Sequence, residues 1–465
     1  ELNHNLSNGH VFLPRPKLIA ATMELIGIGE ETAEKALDDL TERRAVGCKS
    51  TANVEGCYLR RMYEAEVYVA KRLAAACGDD WDCGRDVDRI IDDIQARQGI
   101  AYAPEQRRAV ALAAEKGVLL LTGGPGTGKT TSVRGIVSLF GRRGLEVLLL
   151  APTRRAAQRR GQVCGRDAQT VHRALGMSWN EATQQVTFTK TEKEPLETDA
   201  VIVDEMSMVD LPLMRALLSA LRPGCRLVMI GDADQLPSVG AGNVFADLLR
   251  SGRIPQVALM EVFRQADESY IIRNAHAVNH GEEPDLKTNR GDFFFLCRRA
   301  PERMVSTVVE LCLTRLPEKM GIPSDQIQVL TPTRKGASGT INLNRCLQAA
   351  LNPKSPQRPE LTNAAQTFRL GDKVMQTRNN YDIEWTGPDG DGTGIFNGDI
   401  GILRKVDLRS RMAEIMFDER KAVIPFEALQ ELELAYAVTV HKSQGNEFPA
   451  VIMPIIGVPP RLAYR

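Results

Sequence analysis

A chain of 465 residues is too long for one ordinary domain, and at about 150 residues per domain it divides into roughly three. With 43% hydrophobic and 25% charged residues it can bury a sizeable core, yet no run approaches the roughly 18 apolar residues of a membrane-spanning helix. The 59 basic and 59 acidic residues cancel, so the chain lacks the net positive charge of a dedicated nucleic-acid binder, although local basic clusters remain open to it.

The first residues, Glu1 to Asn5, carry neither an initiator methionine nor a signal peptide, so a truncated or processed N-terminus is expected. Residues 1–95 read as mainly helical. Leu18, Ile19, Met23 and Ile26 share one helix face, Ala33, Ala36, Leu37 and Leu40 another, with a turn at Gly27-Ile28-Gly29 between them. Ala45-Val46-Gly47 and the strand-like Gly56-Cys57-Tyr58-Leu59 follow. Two readings fit: a winged-helix-like module, or a helical packing domain with no role in binding.

From about residue 100 short apolar strands alternate with helical stretches. The strands are Val118-Leu119-Leu120-Leu121, Val147-Leu148-Leu149-Leu150, Ala200-Val201-Ile202-Val203 and Leu227-Val228-Met229-Ile230. Continuous apolar runs between helices predict a parallel sheet covered on both faces. Residues 176–198 interrupt this series, and Gln185–Lys190 within them suits one arm of a hairpin. A second α/β series contains Ile327–Leu330, Ala437–Val440 and Val451–Met453. Within it, 366–430 has Gly-Asp turns and alternating runs that predict a small inserted β-barrel.

Residues 123–130, Gly-Gly-Pro-Gly-Thr-Gly-Lys-Thr, form a P-loop pattern directly after an apolar strand and before a helical stretch. The backbone of Gly124, Pro125, Gly126, Thr127 and Gly128 can curl around phosphate oxygens, aided by the helix N-terminus that begins near Lys129, Thr130 and Thr131. Lys129 would reach the β- and γ-phosphates of ATP, and the Thr130 hydroxyl would ligate Mg²⁺. Val201-Ile202-Val203-Asp204-Glu205 supplies the partner carboxylates: Asp204 for the metal and Glu205 to polarise the attacking water. Gln235, in Gly231–Pro237 after another strand, could sense the γ-phosphate, and Arg264, in Glu261-Val262-Phe263-Arg264-Gln265, could meet transition-state charge.

Nine cysteines without a C-x-x-C pair form neither a zinc pattern nor a disulfide framework, which points to free thiols in a reducing cytoplasm. His276 and His280 have metal-like spacing but no third ligand, so zinc is not expected. Arg159 and Arg160 read either as a DNA patch or as a solvated helix face.

Taken in order, the P-loop, Val-Asp-Glu, Gly-Asp-Ala-Asp-Gln, Val-Phe-Arg-Gln and the Thr439–Phe448 stretch (Thr-Val-His-Lys-Ser-Gln-Gly-Asn-Glu-Phe) resemble superfamily 1 DNA helicases of the RecD-like group, related to the conjugative-relaxase helicases. Tyr63-Glu64-Ala65-Glu66 in the N-terminal module is similar to the long RecD form that works without RecB and RecC. The resemblance implies an α/β fold: two RecA-like P-loop motor domains with parallel sheets, an inserted hairpin, an inserted small β-barrel and the N-terminal module. The implied bounds are 1–95 for the module and 96–265 for the first motor domain with its 176–198 pin. The second motor domain takes 266–365 and 431–465, around a barrel at 366–430.

The same resemblance implies that Gln106 reads adenine, that Gly445 and Glu447 lie near the ribose and phosphates, and that Arg264 is a catalytic arginine. Pro152, Thr153, Arg154, Thr170 and His172 in the first domain, and Thr333, Arg334, Asn342, Thr439 and His441 in the second, match elements that grip single-stranded DNA. Trp179 or Phe188 would stand near the strand-splitting point. The implied activity is ATP- and Mg²⁺-dependent movement on single-stranded DNA and opening of tailed duplexes, 5′ to 3′, in recombination or repair, by a monomer. The family's second catalytic arginine has no counterpart before the last residue, Arg465, so an incomplete chain is expected. An ATPase that remodels nucleic acid without separating strands remains an alternative, and a non-motor nucleotide switch fits the second α/β series poorly.

Overall fold

In the computed structural model, which describes residues 1–456 apart from 52, 82–85, 181–184, 262–267, 289–290, 357, 363–365 and 389, the chain forms two units. They are Glu1–Phe294 and Phe295–Arg465. The first is built on a six-stranded parallel sheet in the order Gln256–Leu259, Val118–Gly123, Arg226–Gly231, Ala200–Val203, Val147–Ala151, Ala168–Thr170. Successive side chains of a strand leave by opposite faces. Leu120, Val201, Val203 and Met229 accordingly enter one core, while Leu119, Leu121, Ile202 and Val228 enter another. Both faces being covered is why these strands read as unbroken apolar runs.

One face is covered by helix Leu211–Ala220 and, from the N-terminal side, by Met62, Ala65, Val69 and Leu73 of helix Arg60–Cys77. The other is covered by Val87–Gln98, Pro104–Glu115 and Lys129–Arg142. Helices Arg60–Cys77 and Val87–Gln98 therefore belong to the core of the sheet, and the N-terminal module ends near 59, not 95. The 3.6-residue stripe on Arg60–Cys77 announces a buried face but not its partner. The unit also extends to 294, so helix Tyr270–His280, expected in the second motor domain, stands with the first.

Before residue 60 the order is helix Leu2–Ser7, strand Phe12–Pro14, helices Arg15–Ile26 and Glu30–Glu42, then a hairpin of Val46–Thr51 and Val54–Leu59. The three strands form one antiparallel sheet with Val54–Leu59 central. Leu18, Ile19, Ala33, Leu37, Val46 and Cys57 make its small core. Gly27, at φ 68°, lets the chain leave the first long helix in the left-handed conformation that favours glycine. Helices and hairpin are thus packed together as one small unit.

The expected hairpin pairs Met177–Asn180 with Gln185–Phe188, with residues 181–184 outside the described set. Phe188 lies opposite Met177 at its base and packs against the sheet's core. It anchors the hairpin at its base. In the second unit, Ala437–Thr439, Ile327–Thr331 and Ala450–Ile452 form a three-stranded parallel sheet. An antiparallel sheet of seven strands, running from Lys373–Gln376 to Leu432–Leu434, is inserted in the chain between Ile327–Thr331 and the other two. Ile327, Val329 and Leu343 share one apolar core with Phe368, Ile415 and Phe417 of the inserted segment. Among the described residues no helix is long and apolar enough to cross a membrane.

Candidate nucleotide-binding site

All six strands of the first sheet are parallel, so their C-terminal ends share one edge, where open α/β sheets bind ligands. Strand Val118–Gly123 runs directly into the P-loop and helix Lys129–Arg142. Gly126 and Gly128 adopt φ of 77° and 80°, conformations in which a side chain would be strained, and this curls the loop. Thr127 is buried, and its hydroxyl donates to the Gly124 carbonyl at 2.9 Å. Lys129 turns back onto the loop, its ammonium donating to the carbonyls of Gly123 and, at 2.9 Å, Gly124. Burial lowers its pKa, opposed by Asp232, Glu205 and Asp204 nearby. A cation held desolvated over an open phosphate cradle gains most when an anion arrives.

Strand Ala200–Val203 delivers Asp204 and Glu205 beside this loop. Asp204 is 5% exposed. Glu205 holds φ of 53°, rare for a residue with a side chain and a form of strain that clusters at functional sites. Burial and then the Asp204 charge raise its pKa, while Lys129 and Arg160 pull it down. Gln235 accepts a 3.4 Å hydrogen bond from Ser207, in the short helix that follows Glu205, so its loop and the carboxylate pair are tied together. Gln106 is 2% exposed. It accepts from Ala103 N–H at 3.0 Å and donates to the Gly128 carbonyl at 3.3 Å, which puts the amide against the P-loop. Arg264 lies outside the described residues.

Two residues in this site escaped the sequence reading. Arg160, expected on a DNA patch or a solvated face, is turned inward: its Nε donates to Asp204 at 2.8 Å, its Nη2 also contacts that carboxylate, and its Nη1 approaches the Thr130 hydroxyl at 3.4 Å. Its side chain is 10% exposed. His276 brings Nε2 to 3.2 Å from the Pro125 carbonyl, and a Cβ on Gly124 would lie 2.9 Å from its Cε1. It packs over the P-loop, and no cluster of three metal-ligating side chains occurs among the described residues. Position four residues before Cys164 on a basic helix gave no hint for Arg160; for His276 the hint was the pair of histidines itself.

Mg²⁺ fits the oxygens present. Asp204 and Thr130 are hard donors at the mouth of the phosphate cradle, and they already hold one positive charge, the Arg160 guanidinium. One carboxylate and one hydroxyl is the sparse set that this ion uses when nucleotide phosphates and water complete its shell.

Further along the same edge, Ala151 pairs with Thr170, so Pro152–Arg154 and Thr170–His172 emerge together. Thr153 and Thr170 each cap a helix, accepting from Ala156 N–H at 3.3 Å and Arg173 N–H at 3.1 Å. Burial lowers the pKa of His172, favouring the neutral ring. In the second unit Thr331 pairs with Thr439, which brings the Thr333–Arg334 turn and the Thr439–His441 segment to one sheet edge. Arg334 pairs with Glu433, which Lys442 also contacts at 3.3 Å. Asn342 donates to the Ala337 carbonyl at 2.8 Å and so secures the turn. The Thr333 hydroxyl is buried without a hydrogen-bond partner among the described residues. Gly445, at φ 75°, and the exposed Glu447 follow that segment.

A parallel sheet ending in a P-loop, with an Asp-Glu pair at the end of the next strand but one, defines a P-loop nucleotide-binding protein. Matches to known families run in chain order: "AAA domain" over residues 101–292, "ATP-dependent RecD-like DNA helicase SH3 domain" over 343–417 and "UvrD-like helicase C-terminal domain" over 434–464. The ATP-dependent RecD2 DNA helicase of Deinococcus radiodurans is 33% identical over 462 residues, 96% of this chain and 59% of that protein. The RecBCD enzyme subunit RecD of Mycobacterium tuberculosis is 31% identical over 389 residues, 75% of this chain and 64% of that one. The chain belongs to the RecD-like helicase family, and it spans about three-fifths of the length of these curated relatives. The Pif1 helicase of Candida albicans, a solved structure, is similar with a TM-score of 0.43 and 20% identity over 78% of this chain and 91% of that one, a likeness too loose to add to these matches.

Proposed function

We propose that this chain is the motor of an ATP- and Mg²⁺-dependent DNA helicase that moves 5′ to 3′ along single-stranded DNA and opens tailed duplexes in recombination or repair. The observation that carries the reading is the convergence of the P-loop, Lys129, Asp204 and Glu205 at one end of a sheet whose next two strands end in Pro152–Arg154 and Thr170–His172. Relatives named as DNA helicases and as a RecBCD subunit support DNA as the track.

In this reading the P-loop amides and Lys129 bind the phosphates, and Gln106 offers its amide to adenine. Glu205 orients the attacking water and takes its proton, while Gln235 senses the γ-phosphate from the adjoining loop. Arg264 meets the charge that develops there. Bound at Thr130 and Asp204, Mg²⁺ supplies neutralisation of phosphate charge. Gly445 and Glu447 contribute to nucleotide binding, as the family resemblance implies. Threonine hydroxyls, arginines and amides of both units, Thr153, Arg154, Thr170, His172, Thr333, Arg334, Asn342, Thr439 and His441 with Pro152, hold the DNA backbone without reading sequence.

The test is ATP turnover with and without single-stranded DNA, for the chain and for Lys129→Ala, followed by unwinding of 5′- and 3′-tailed duplexes. Many-fold stimulation that depends on Lys129, with opening of the 5′-tailed duplex alone, is the expected result. Stimulated turnover without strand separation would leave a remodelling ATPase, and turnover indifferent to DNA would end the helicase reading.

A further inference from the structure

The side chain of Arg160 sits on both groups that would hold the metal. From helix Arg154–Cys164 its guanidinium reaches Asp204 through Nε at 2.8 Å and through Nη2, and Thr130 Oγ1 through Nη1 at 3.4 Å. Both partners of the ion pair are nearly closed to solvent, with side chains 10% and 7% exposed. An arginine that merely decorated the helix would extend into water. Instead it lies where a divalent cation would lie, presenting planar donors to hard oxygens. An always-charged guanidinium cannot solve the crowding by losing its proton.

We propose that Arg160 is a resident cation that stands in for Mg²⁺ at Asp204 and Thr130 until a metal–nucleotide complex displaces it. The inference rests on reading this site as the Mg²⁺–nucleotide site. Two consequences of opposite sign follow from electrostatics. Metal binding has to break a buried, charge-assisted pair, so Arg160 weakens the apparent affinity for Mg²⁺. Without metal, the same positive charge screens Asp204 and Glu205 from incoming phosphates, so Arg160 strengthens metal-free nucleotide binding. The helix that carries it begins at its cap, Thr153, in the segment proposed to grip DNA. Release of Arg160 therefore loosens the middle of an element whose N-terminus lies in that segment.

The experiment uses the full 465-residue chain, a fluorescent non-hydrolysable ATP analogue, and the variants Arg160→Leu, Arg160→Gln and Arg160→Lys. Binding is titrated in EDTA and across Mg²⁺ concentrations, and Mn²⁺ binding is followed by electron paramagnetic resonance. Arg160→Leu is expected to lower the Mg²⁺ midpoint about tenfold, in keeping with loss of one charge-assisted hydrogen-bonded pair, and to weaken binding in EDTA. Arg160→Lys, which keeps the charge, retains most of the wild-type behaviour in both. If Arg160→Leu unfolds, Arg160→Gln carries the same comparison, because it keeps donors but not charge. A midpoint unchanged in the neutral variants, or both affinities falling together, overturns the proposal while Lys129-dependent nucleotide binding leaves the site intact. Nucleotide binding indifferent to Lys129→Ala removes the site reading itself, and this inference with it.

Discussion

Gly231 ends the strand that leads into the Asp232–Gln235 loop, and it has no room for a methyl group. A Cβ there would lie 2.7, 3.0 and 3.1 Å from three ring carbons of Phe245. Neither side can retreat easily: Phe245 is 1% exposed within the larger core, and Gly231 is in register with Thr122 on the strand that feeds the P-loop. Gly231→Ala should therefore overpack the first unit and cost about 1–3 kcal/mol. Phe245→Leu alone should cost less than the roughly 3–5 kcal/mol of a Phe→Ala truncation. Because the smaller side chain opens the space the new methyl needs, the double variant should be more stable than the sum of the two by about 1 kcal/mol. Amide exchange measured by mass spectrometry across urea concentrations, on peptides covering Val118–Gly123 and Arg226–Gly231, isolates this unit. Additivity within about 0.5 kcal/mol, or an unchanged midpoint for Gly231→Ala, would refute the steric argument.

Glu205→Gln should lower ATP turnover by about 10²–10⁴-fold while changing nucleotide affinity little, and turnover within tenfold of wild type would rule out Glu205 as the base. Burial and the Asp204 charge raise the Glu205 pKa above 4.5, so base function fails as pH falls through that raised value; the acidic limb of the turnover–pH profile should lie above 4.5 and disappear with the Gln variant. The same raised value means that folding favours the protonated acid. The stability it contributes is complete below the unfolded pKa and is lost as pH rises, so Glu205→Gln should stabilise the first unit near neutral pH but not in acid. In the second unit Asp372 is fully buried and accepts hydrogen bonds from Gln348 at 2.6 Å, Asn352 at 2.7 Å and Tyr436 at 2.8 Å. Asp372→Ala leaves those donors unpaired and should cost that unit about 3 kcal/mol or more, with exchange in the Val118–Gly123 peptide unchanged; loss of protection in both units alike would contradict this.

Local rules carried the sequence reading far. A run of four apolar residues set between helical stretches, such as Val118–Leu121 or Ala200–Val203, suits a strand of a sheet covered on both sides, and both runs are central strands. The P-loop was equally legible, since glycine spacing, a lysine and a hydroxyl are enough to specify the turn and the chemistry that it performs. Gly27 marked a helix end for the same local reason. By contrast, short strands such as Phe12–Pro14 and Ala168–Thr170 carry too few residues for periodicity to show, and pairing across the sheet creates them.

What tertiary structure alone decided is which buried faces meet. Helix Arg60–Cys77 has the stripe of any amphipathic helix, and only packing assigns it to the motor sheet and moves the edge of the N-terminal module to about residue 59. Phe188 reads as a candidate wedge, and the register of its hairpin makes it the anchor at the base. Arg160 is the sharpest case. About two turns into a basic helix its side chain had solvent on offer, and nothing in its neighbours in sequence distinguished it from Arg159. Its partner Asp204 is 44 residues away along the chain, brought close by the adjacency of two parallel strands. A charge chooses between water and a buried carboxylate by what stands within a few ångströms, and that distance is set by the sheet order, which is a property of the whole unit.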